Sequence, residues 1–159
     1  MKAWVIERLD GIDNARITEV SDPVPAKGEV LLRLTCAALN PADRYLAEGQ
    51  YPAKPPLPHI LGRDGCGVIA GFGPGVEGHP IGQKRAILRG ETGVSRWGTF
   101  AELVAVPAES LIEVPSGWTE EQAGSASLVY VTAFQALTQW EDLPPKAVVL
   151  VSGASGGVG

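Results

Sequence analysis

The chain contains few cysteines, no basic block and no long hydrophobic run. Its two cysteines, Cys36 and Cys66, lie thirty positions apart in 159 residues, so we expect no disulfide framework. Thirteen basic and eighteen acidic residues give a net charge of −5, which argues against nucleic acid and anionic membrane surfaces as partners. No run reaches the roughly 18 apolar residues of a membrane span. Because charge at Glu7 and Arg8 precedes any apolar segment, we expect no secretory signal and a reduced, cytoplasmic location.

Glycine and proline, by contrast, are abundant. Twenty glycines and thirteen prolines interrupt the chain every few residues, which disfavours helical bundles and coiled coils. The segments between them predict short strands that form a compact, partly open β-barrel. The predicted strands are Lys2–Arg8, Arg16–Val20, Val30–Leu39, Gly65–Phe72, Gln83–Leu88, Thr99–Val106 and Leu111–Val114, with a proline-rich loop over Tyr51–Pro58.

Two helices are predicted from their end signals. Asn40 can cap a short helix that has Pro41 in its first turn, and Gly49 closes it. A capping box at Thr119–Gln122 starts a second helix, which carries apolar residues at Tyr130, Phe134, Leu137 and Trp140.

The last thirteen residues carry a glycine-rich pattern. The apolar run 147–151 predicts a parallel-type strand, and it leads into Gly153, Gly156 and Gly159 at three-residue spacing. Glycines at such a turn let the backbone approach a pyrophosphate closely. The pattern is therefore a variant of the dinucleotide-binding turn, and a flexible glycine-rich tail is the alternative.

Several segments together carry a resemblance to a known family. They are Leu39–Tyr45, Gly49–Pro52, Leu61–Val68, Gly98–Glu102, Thr132–Phe134 and Gly153–Gly159. In this order they resemble the N-terminal portion of a medium-chain dehydrogenase/reductase of the zinc-independent quinone oxidoreductase (zeta-crystallin-like) branch. The resemblance implies a GroES-like catalytic barrel over 1–118. It also implies that 119–159 is the truncated start of a Rossmann domain, with one helix, the first strand and the glycine-rich turn.

The positions that bind metal in zinc-dependent relatives differ here. Asn40 stands where those relatives have a cysteine, and Gly62-Arg63-Asp64 replaces their Gly-His-Glu. Asn is a poor zinc ligand and Arg is none, so we expect no zinc site. Cys36 and Cys66 are expected to be small buried side chains, and His59 and His79 to be solvated loop residues.

The resemblance implies a cleft between the barrel and the Rossmann domain, and a set of residues that line it. Tyr51, Asp43 and Tyr45 are the candidate catalytic residues, with Tyr51 the favoured substrate contact. The candidate cofactor-binding residues are Asn40, Thr132, Gly153, Ala154, Gly156, Gly157, Val158 and Gly159. Simpler roles stay open: Asn40 as a helix cap, Asp43 as a first-turn partner of the helix dipole, the tyrosines as packing groups, and Thr132 bonding to its own helix.

The predicted function is hydride transfer from NADPH, the cofactor that the family implies, to a quinone or related carbonyl acceptor. Reduction of an enone or alkenal double bond is the nearest alternative. A non-catalytic barrel that self-associates through the 147–151 strand or the Tyr130–Trp140 helix is the other. We expect a small-molecule substrate and a homo-oligomer, with no nucleic-acid or membrane partner.

Overall fold

The computed structural model describes residues 1–88, 90–139 and 143–159. In these ranges the chain forms eight strands, two α-helices and two short 3-10 turns. The strands are β1 (Lys2–Ile6), β2 (Arg16–Glu19), β3 (Glu29–Ala38), β4 (His59–Ile60), β5 (Asp64–Phe72), β6 (Lys84–Ile87), β7 (Leu103–Pro107) and β8 (Leu111–Glu113). The helices are α1 (Pro41–Ala47) and α2 (Glu120–Thr138), and the 3-10 turns cover Ile12–Asn14 and Ala108–Ser110.

The larger sheet has the order β7-β3-β5-β6-β8, and its neighbouring strands are antiparallel. Alternate residues of a strand point to the same side of the sheet. On β3 and β7 the alternate residues on one side are aliphatic, and they form the core of this sheet. The fully buried members are Val30, Leu32, Ile69, Ile87, Val104 and Val106. The predicted mainly β fold with short helices is therefore confirmed.

Strand β3 pairs with β5 in a register that is interrupted twice. The shifts lie between Leu31 and Leu32 and between Leu34 and Cys36. Beyond the second shift, Cys36 stands directly opposite Cys66. The end of β3 is thereby rotated relative to its start, and this end leads into α1.

The smaller sheet has the order β2-β1-β4. Its central strand β1 buries Ile6, which packs with Leu46 and Ala47 of α1 and with Leu61. This cluster fixes α1 against the smaller sheet. The helix ends as its sequence predicts, since Gly49 has a positive φ of 67°, a conformation that few other residues adopt without strain.

Helix α2 packs on the outer face of β5, β3 and β6. It begins at a capping box in which the Gln122 amide N–H donates to Thr119 Oγ1 at 3.2 Å and the Thr119 N–H donates to Gln122 Oε1 at 2.9 Å. Its buried face consists of the small residues Ala123, Gly124 and Ser127, whereas the large apolar side chains of Tyr130, Phe134 and Leu137 are exposed. Trp140, the last residue of the predicted helix, lies outside the described residues.

The predicted strand over 147–151 is wrong. These residues carry no strand assignment, and Val148 and Leu150 are 97% and 94% exposed. A parallel strand is held by hydrogen bonds to its neighbours, and no strand of the described residues runs beside this segment.

Among the described helices, none combines the length and the apolar character that crossing a bilayer requires.

Candidate active site

A cleft of about 900 Å³ lies between the end of β3, the start of α1 and helix α2. Four of the candidate cofactor-binding residues line it together: Asn40, Thr132, Gly157 and Val158. Leu39, Leu128, Val129 and the aromatic pair Trp118 and Tyr130 supply apolar surface around them. The cleft thus combines an apolar wall with a few polar groups, as small-molecule sites do.

Asn40 is the polar group on the barrel wall of this cleft. Its backbone is extended and precedes α1, and its N–H donates to Asp43 Oδ2 at 2.8 Å. Its side-chain Nδ2 donates to Asp64 Oδ2 at 3.1 Å. Asn40 therefore holds the N-cap position, as predicted, while its side-chain amide is bound by the carboxylate of a different element.

Asp43 does not line the cleft but is buried, with 3% of its surface exposed. Burial raises the pKa of its carboxyl to about 6, although the amides of Asn40 and Gly62 and the nearby charge of Arg63 act in the opposite direction. Its Oδ1 accepts no hydrogen bond from the described residues. The geometry gives Asp43 a role at the first turn of α1, and its catalytic role stays a prediction.

The two candidate tyrosines also lie away from the cleft lining. Tyr45 is about half exposed on α1. Tyr51 is half-buried, packs against the Ile6–Leu46 cluster, and its hydroxyl accepts a hydrogen bond from Arg63 Nη1 at 3.1 Å. The structure therefore does not bring Tyr51, Asp43 and Tyr45 together with the cofactor-binding candidates in one cavity.

Thr132 lies on the opposite wall from Asn40, on α2. Its hydroxyl donates to the carbonyl oxygen of Leu128 at 2.7 Å, which is the intrahelical bond that the sequence left open. Thr132 also lines a smaller cavity of about 260 Å³ together with Arg63 and Asp64. The Thr132 side chain thus stands at the boundary between the two cavities.

The glycine-rich segment 152–159 forms a compact turn next to α2. Gly153 has a φ of 68°, and the Gly156 N–H donates to the Gly153 carbonyl oxygen at 2.9 Å. A Cβ on Gly159 would collide with Ala154 and Gly153, and one on Gly157 would contact Val129. Gly153 is therefore favoured by its backbone conformation and Gly159 by the lack of space, whereas Gly157 has room for an ordinary contact. A turn of this kind fits the close approach of a phosphate-bearing cofactor. Gly153, Ala154, Gly156 and Gly159 form the turn itself and are not part of the cleft lining.

Arg63 and Asp64 are site residues that the sequence analysis treated only as departures from a metal-binding pattern. Asp64 is 2% exposed and bonds to both walls of the cleft. The signal that could have revealed it was present, since a carboxylate that begins a strand rich in glycine and apolar residues must find partners in the interior.

The residues present do not fit a zinc ion. Asn40 directs its amide nitrogen to Asp64, and the Arg63 side chain is a cation, whereas zinc takes thiolate, imidazole or carboxylate ligands. In the part of the chain that the structure describes, no three His, Cys, Asp or Glu side chains form a potential ligand set. Burial raises the pKa of both thiols, that of Cys66 to about 11, which keeps them protonated at neutral pH.

The expectation that His59 is solvated is wrong. His59 belongs to β4, pairs with Ile6 of β1 and is only 1% exposed. Burial lowers the pKa of its imidazole, and its Nε2 has no hydrogen-bond partner among the described residues. The adjacent proline suggested a loop, but the short strand β4, which contains His59, forms backbone hydrogen bonds with β1. His79, which was also expected to be solvated, is half-buried.

Comparison with known proteins defines the class. Residues 26–116 match the alcohol dehydrogenase GroES-like domain, and the chain belongs to this family, within the medium-chain dehydrogenase/reductase oxidoreductases. Along its whole length the chain is 32% identical to the human synaptic vesicle membrane protein VAT-1 homolog and covers 39% of that protein. It spans about two fifths of the length of the human protein and of the corresponding rat and mouse proteins.

Two solved structures show how closely the fold is shared. A quinone oxidoreductase from Pseudomonas syringae pv. Tomato is 27% identical with a TM-score of 0.86, and the match covers 99% of this chain and 46% of that one. A mycobacterial protein solved in complex with NADPH is 30% identical with a TM-score of 0.85, over 99% of this chain and 47% of that one.

Proposed function

We propose that this chain forms the substrate-side half of a zinc-independent, NADPH-dependent reductase that acts on a quinone or a related carbonyl compound. The observation that carries the proposal is the shared cleft, in which Asn40 faces Thr132 beside Gly157 and Val158 of the glycine turn. The similarity to a quinone oxidoreductase and to a protein solved with NADPH supports the choice of cofactor and acceptor.

Within this proposal the protein's residues bind and orient rather than perform covalent chemistry. Bound NADPH would supply the hydride. Asn40 and Thr132 would hold the nicotinamide from opposite walls, while the apolar lining excludes water from the acceptor. The glycine turn would hold the phosphates. Tyr51, whose hydroxyl accepts a hydrogen bond from Arg63, stays the predicted acceptor contact, although its side chain does not line this cleft.

The absence of a zinc role rests on the donor set described above, because neither Asn40 nor Arg63 suits the metal. Turnover should therefore be unaffected by a strong chelator such as EDTA. Loss of turnover on chelation, restored by Zn²⁺, would contradict this part of the proposal.

The first test is a titration of the 159-residue chain with NADPH, in which binding is detected by fluorescence. The second test is turnover with an ortho-quinone and with an enone. Thr132→Val removes the hydroxyl from the cleft and should weaken NADPH binding about tenfold, the equivalent of one hydrogen bond. Thr138→Val is the matched control, because Thr138 makes the same 2.7 Å bond to the carbonyl four residues before it but does not line the cleft.

Saturable binding at micromolar NADPH that is weakened only by Thr132→Val supports the proposed function. No binding up to millimolar NADPH would contradict it for this chain. Faster turnover of the enone than of the quinone would favour the double-bond reductase.

Self-association is a second property that the exposed apolar segment favours. Val148 and Leu150 are almost fully exposed, and Tyr130 and Phe134 are exposed on α2. Such surfaces are uncommon on isolated soluble domains, so we propose that copies of this chain associate through them. A monodisperse monomer in light scattering would contradict the association. A cytoplasmic location stays a prediction.

A further inference from the structure

Asp64 is a buried carboxylate whose hydrogen bonds join the two walls of the cleft. On the barrel side, its Oδ2 accepts from Asn40 Nδ2 at 3.1 Å. On the helix side, the backbone N–H of Leu128 donates to Oδ1 at 3.1 Å and to Oδ2 at 3.3 Å. With 2% of its surface exposed, Asp64 has no solvent to replace these partners.

The bond to Leu128 is unusual for its position. Leu128 lies well inside α2, where a backbone N–H ordinarily donates to the carbonyl four residues before it. Here the N–H approaches a side chain of the sheet, so the helix is attached to β5 at this residue. The carbonyl of Leu128 in turn accepts from the Thr132 hydroxyl. Asp64 is therefore bonded directly to Asn40, and it is linked to Thr132 through Leu128 by two successive hydrogen bonds.

The contact also fixes the orientation of the Asn40 amide. Burial raises the pKa of the Asp64 carboxyl, while the hydrogen bonds from Asn40 and Leu128 and the charge of Arg63 act in the opposite direction. In its ionised form the carboxylate only accepts hydrogen bonds, so the Asn40 nitrogen rather than its oxygen faces Asp64. A half-turn of the amide would place two acceptors against each other in the interior. The buried bond thereby selects one of the two amide orientations at the cleft wall.

We propose that Asp64 is a positioning residue of this site, which sets the orientation of Asn40 and the separation of Asn40 from Thr132 by holding both cleft walls. The ligand that benefits is the nicotinamide of the proposed function, on which this identification rests. The positioning itself can be measured on the chain without any cofactor.

The first experiment follows the Asn40 side-chain amide by ¹⁵N NMR. In the unchanged protein we expect its protons to exchange with water at least about tenfold more slowly than those of Gln50, whose side chain is exposed. Asp64→Asn has the same shape but must turn its own amide nitrogen toward one of the two donors. We expect it to abolish the slow exchange and to weaken NADPH binding about tenfold.

The control is Thr99→Val, which removes a buried 2.8 Å bond from the Thr99 hydroxyl to the backbone carbonyl of Asp64 and leaves the carboxylate untouched. It should lower stability but leave the exchange of the Asn40 amide unchanged. A double variant, Asn40→Asp with Asp64→Asn, exchanges donor and acceptor. It should recover the stability lost in Asp64→Asn but not the NADPH affinity.

The outcomes separate the possible roles. Fast exchange of the Asn40 amide in the unchanged protein would overturn the proposal, and this measurement stands even if Asp64→Asn does not fold. Equal loss of NADPH affinity in Asp64→Asn and Thr99→Val would also overturn it, because the residue would then act through stability alone. If the unchanged chain shows slow exchange but binds no NADPH, the proposed function fails while the orienting role of Asp64 holds.

Discussion

Helix α2 approaches the larger sheet closely at Gly124, and this residue provides a sharp test of the packing. A Cβ at this position would lie 2.7 Å from Cys36 Sγ, 2.9 Å from the Cys66 backbone nitrogen and 3.1 Å from Cys66 Cβ. The Cys66 nitrogen cannot retreat, since β5 is bound by β3 on one side and by β6 on the other. Gly124→Ala must therefore displace the helix.

Two effects of opposite sign decide the result. Alanine in place of glycine favours a helix interior by about 1 kcal/mol. Overpacking a well-packed interface costs about 1–3 kcal/mol, and contacts with a fixed backbone place this substitution toward the upper end. We expect Gly124→Ala to lower the free energy of unfolding by about 1–2 kcal/mol.

The measurement is urea unfolding followed by circular dichroism, together with the rate at which a thiol reagent labels Cys36 and Cys66. Labelling should accelerate, because a displaced α2 uncovers both side chains. Ser125→Ala is the matched control: its side chain is exposed on the same turn, and we expect a change within about 0.5 kcal/mol. A Gly124→Ala protein as stable as the unchanged one, with equally slow labelling, would refute the close packing of α2.

Two further predictions concern the helix starts. Asp43→Asn should remove a pH-dependent cost: because the pKa of Asp43 is raised to about 6, the folded state holds the proton more tightly, and stability falls as the pH rises from about 4 to 6. Between pH 4 and pH 7 the free energy of unfolding of the variant should therefore rise by on the order of 2 kcal/mol relative to that of the unchanged protein. Urea unfolding across that pH range measures this. A difference in stability between the two proteins that does not change with pH would contradict the prediction. Thr119→Ala should cost about 1 kcal/mol by leaving the Gln122 N–H without its cap, measured as a shift of the urea midpoint, and an unchanged midpoint would show that the capping box contributes nothing.

The strands of the larger sheet were predictable because local chemistry and tertiary structure agree there. The apolar residues of β3 and β5 have no stable place except the interior, and the caps at Asn40 and Thr119 act within a single turn. Gly49 likewise marks the end of α1 through a backbone conformation that it adopts easily.

Other features depended on partners distant in sequence. The burial of His59 comes from its pairing with β1, more than fifty residues earlier. The segment 147–151 is not a strand, and no strand of the described residues runs beside it. On α2 the spacing of the large apolar residues predicted the helix but not which of its faces packs on the sheet, and the close approach to the sheet selected the small residues Ala123, Gly124 and Ser127. Asp64 was missed because its role exists only after Asn40 and Leu128 have been brought to it.

The two register shifts between β3 and β5 restrict how this chain can change in length. Side chains alternate between the two faces of an extended segment, so one residue inserted or deleted between Cys36 and Asn40 would turn Asn40 to the opposite side and away from Asp64. Length variation should be tolerated instead in the largely exposed turn over 77–82. The stretch that connects the second shift to α1 should keep a constant length wherever the cleft is retained.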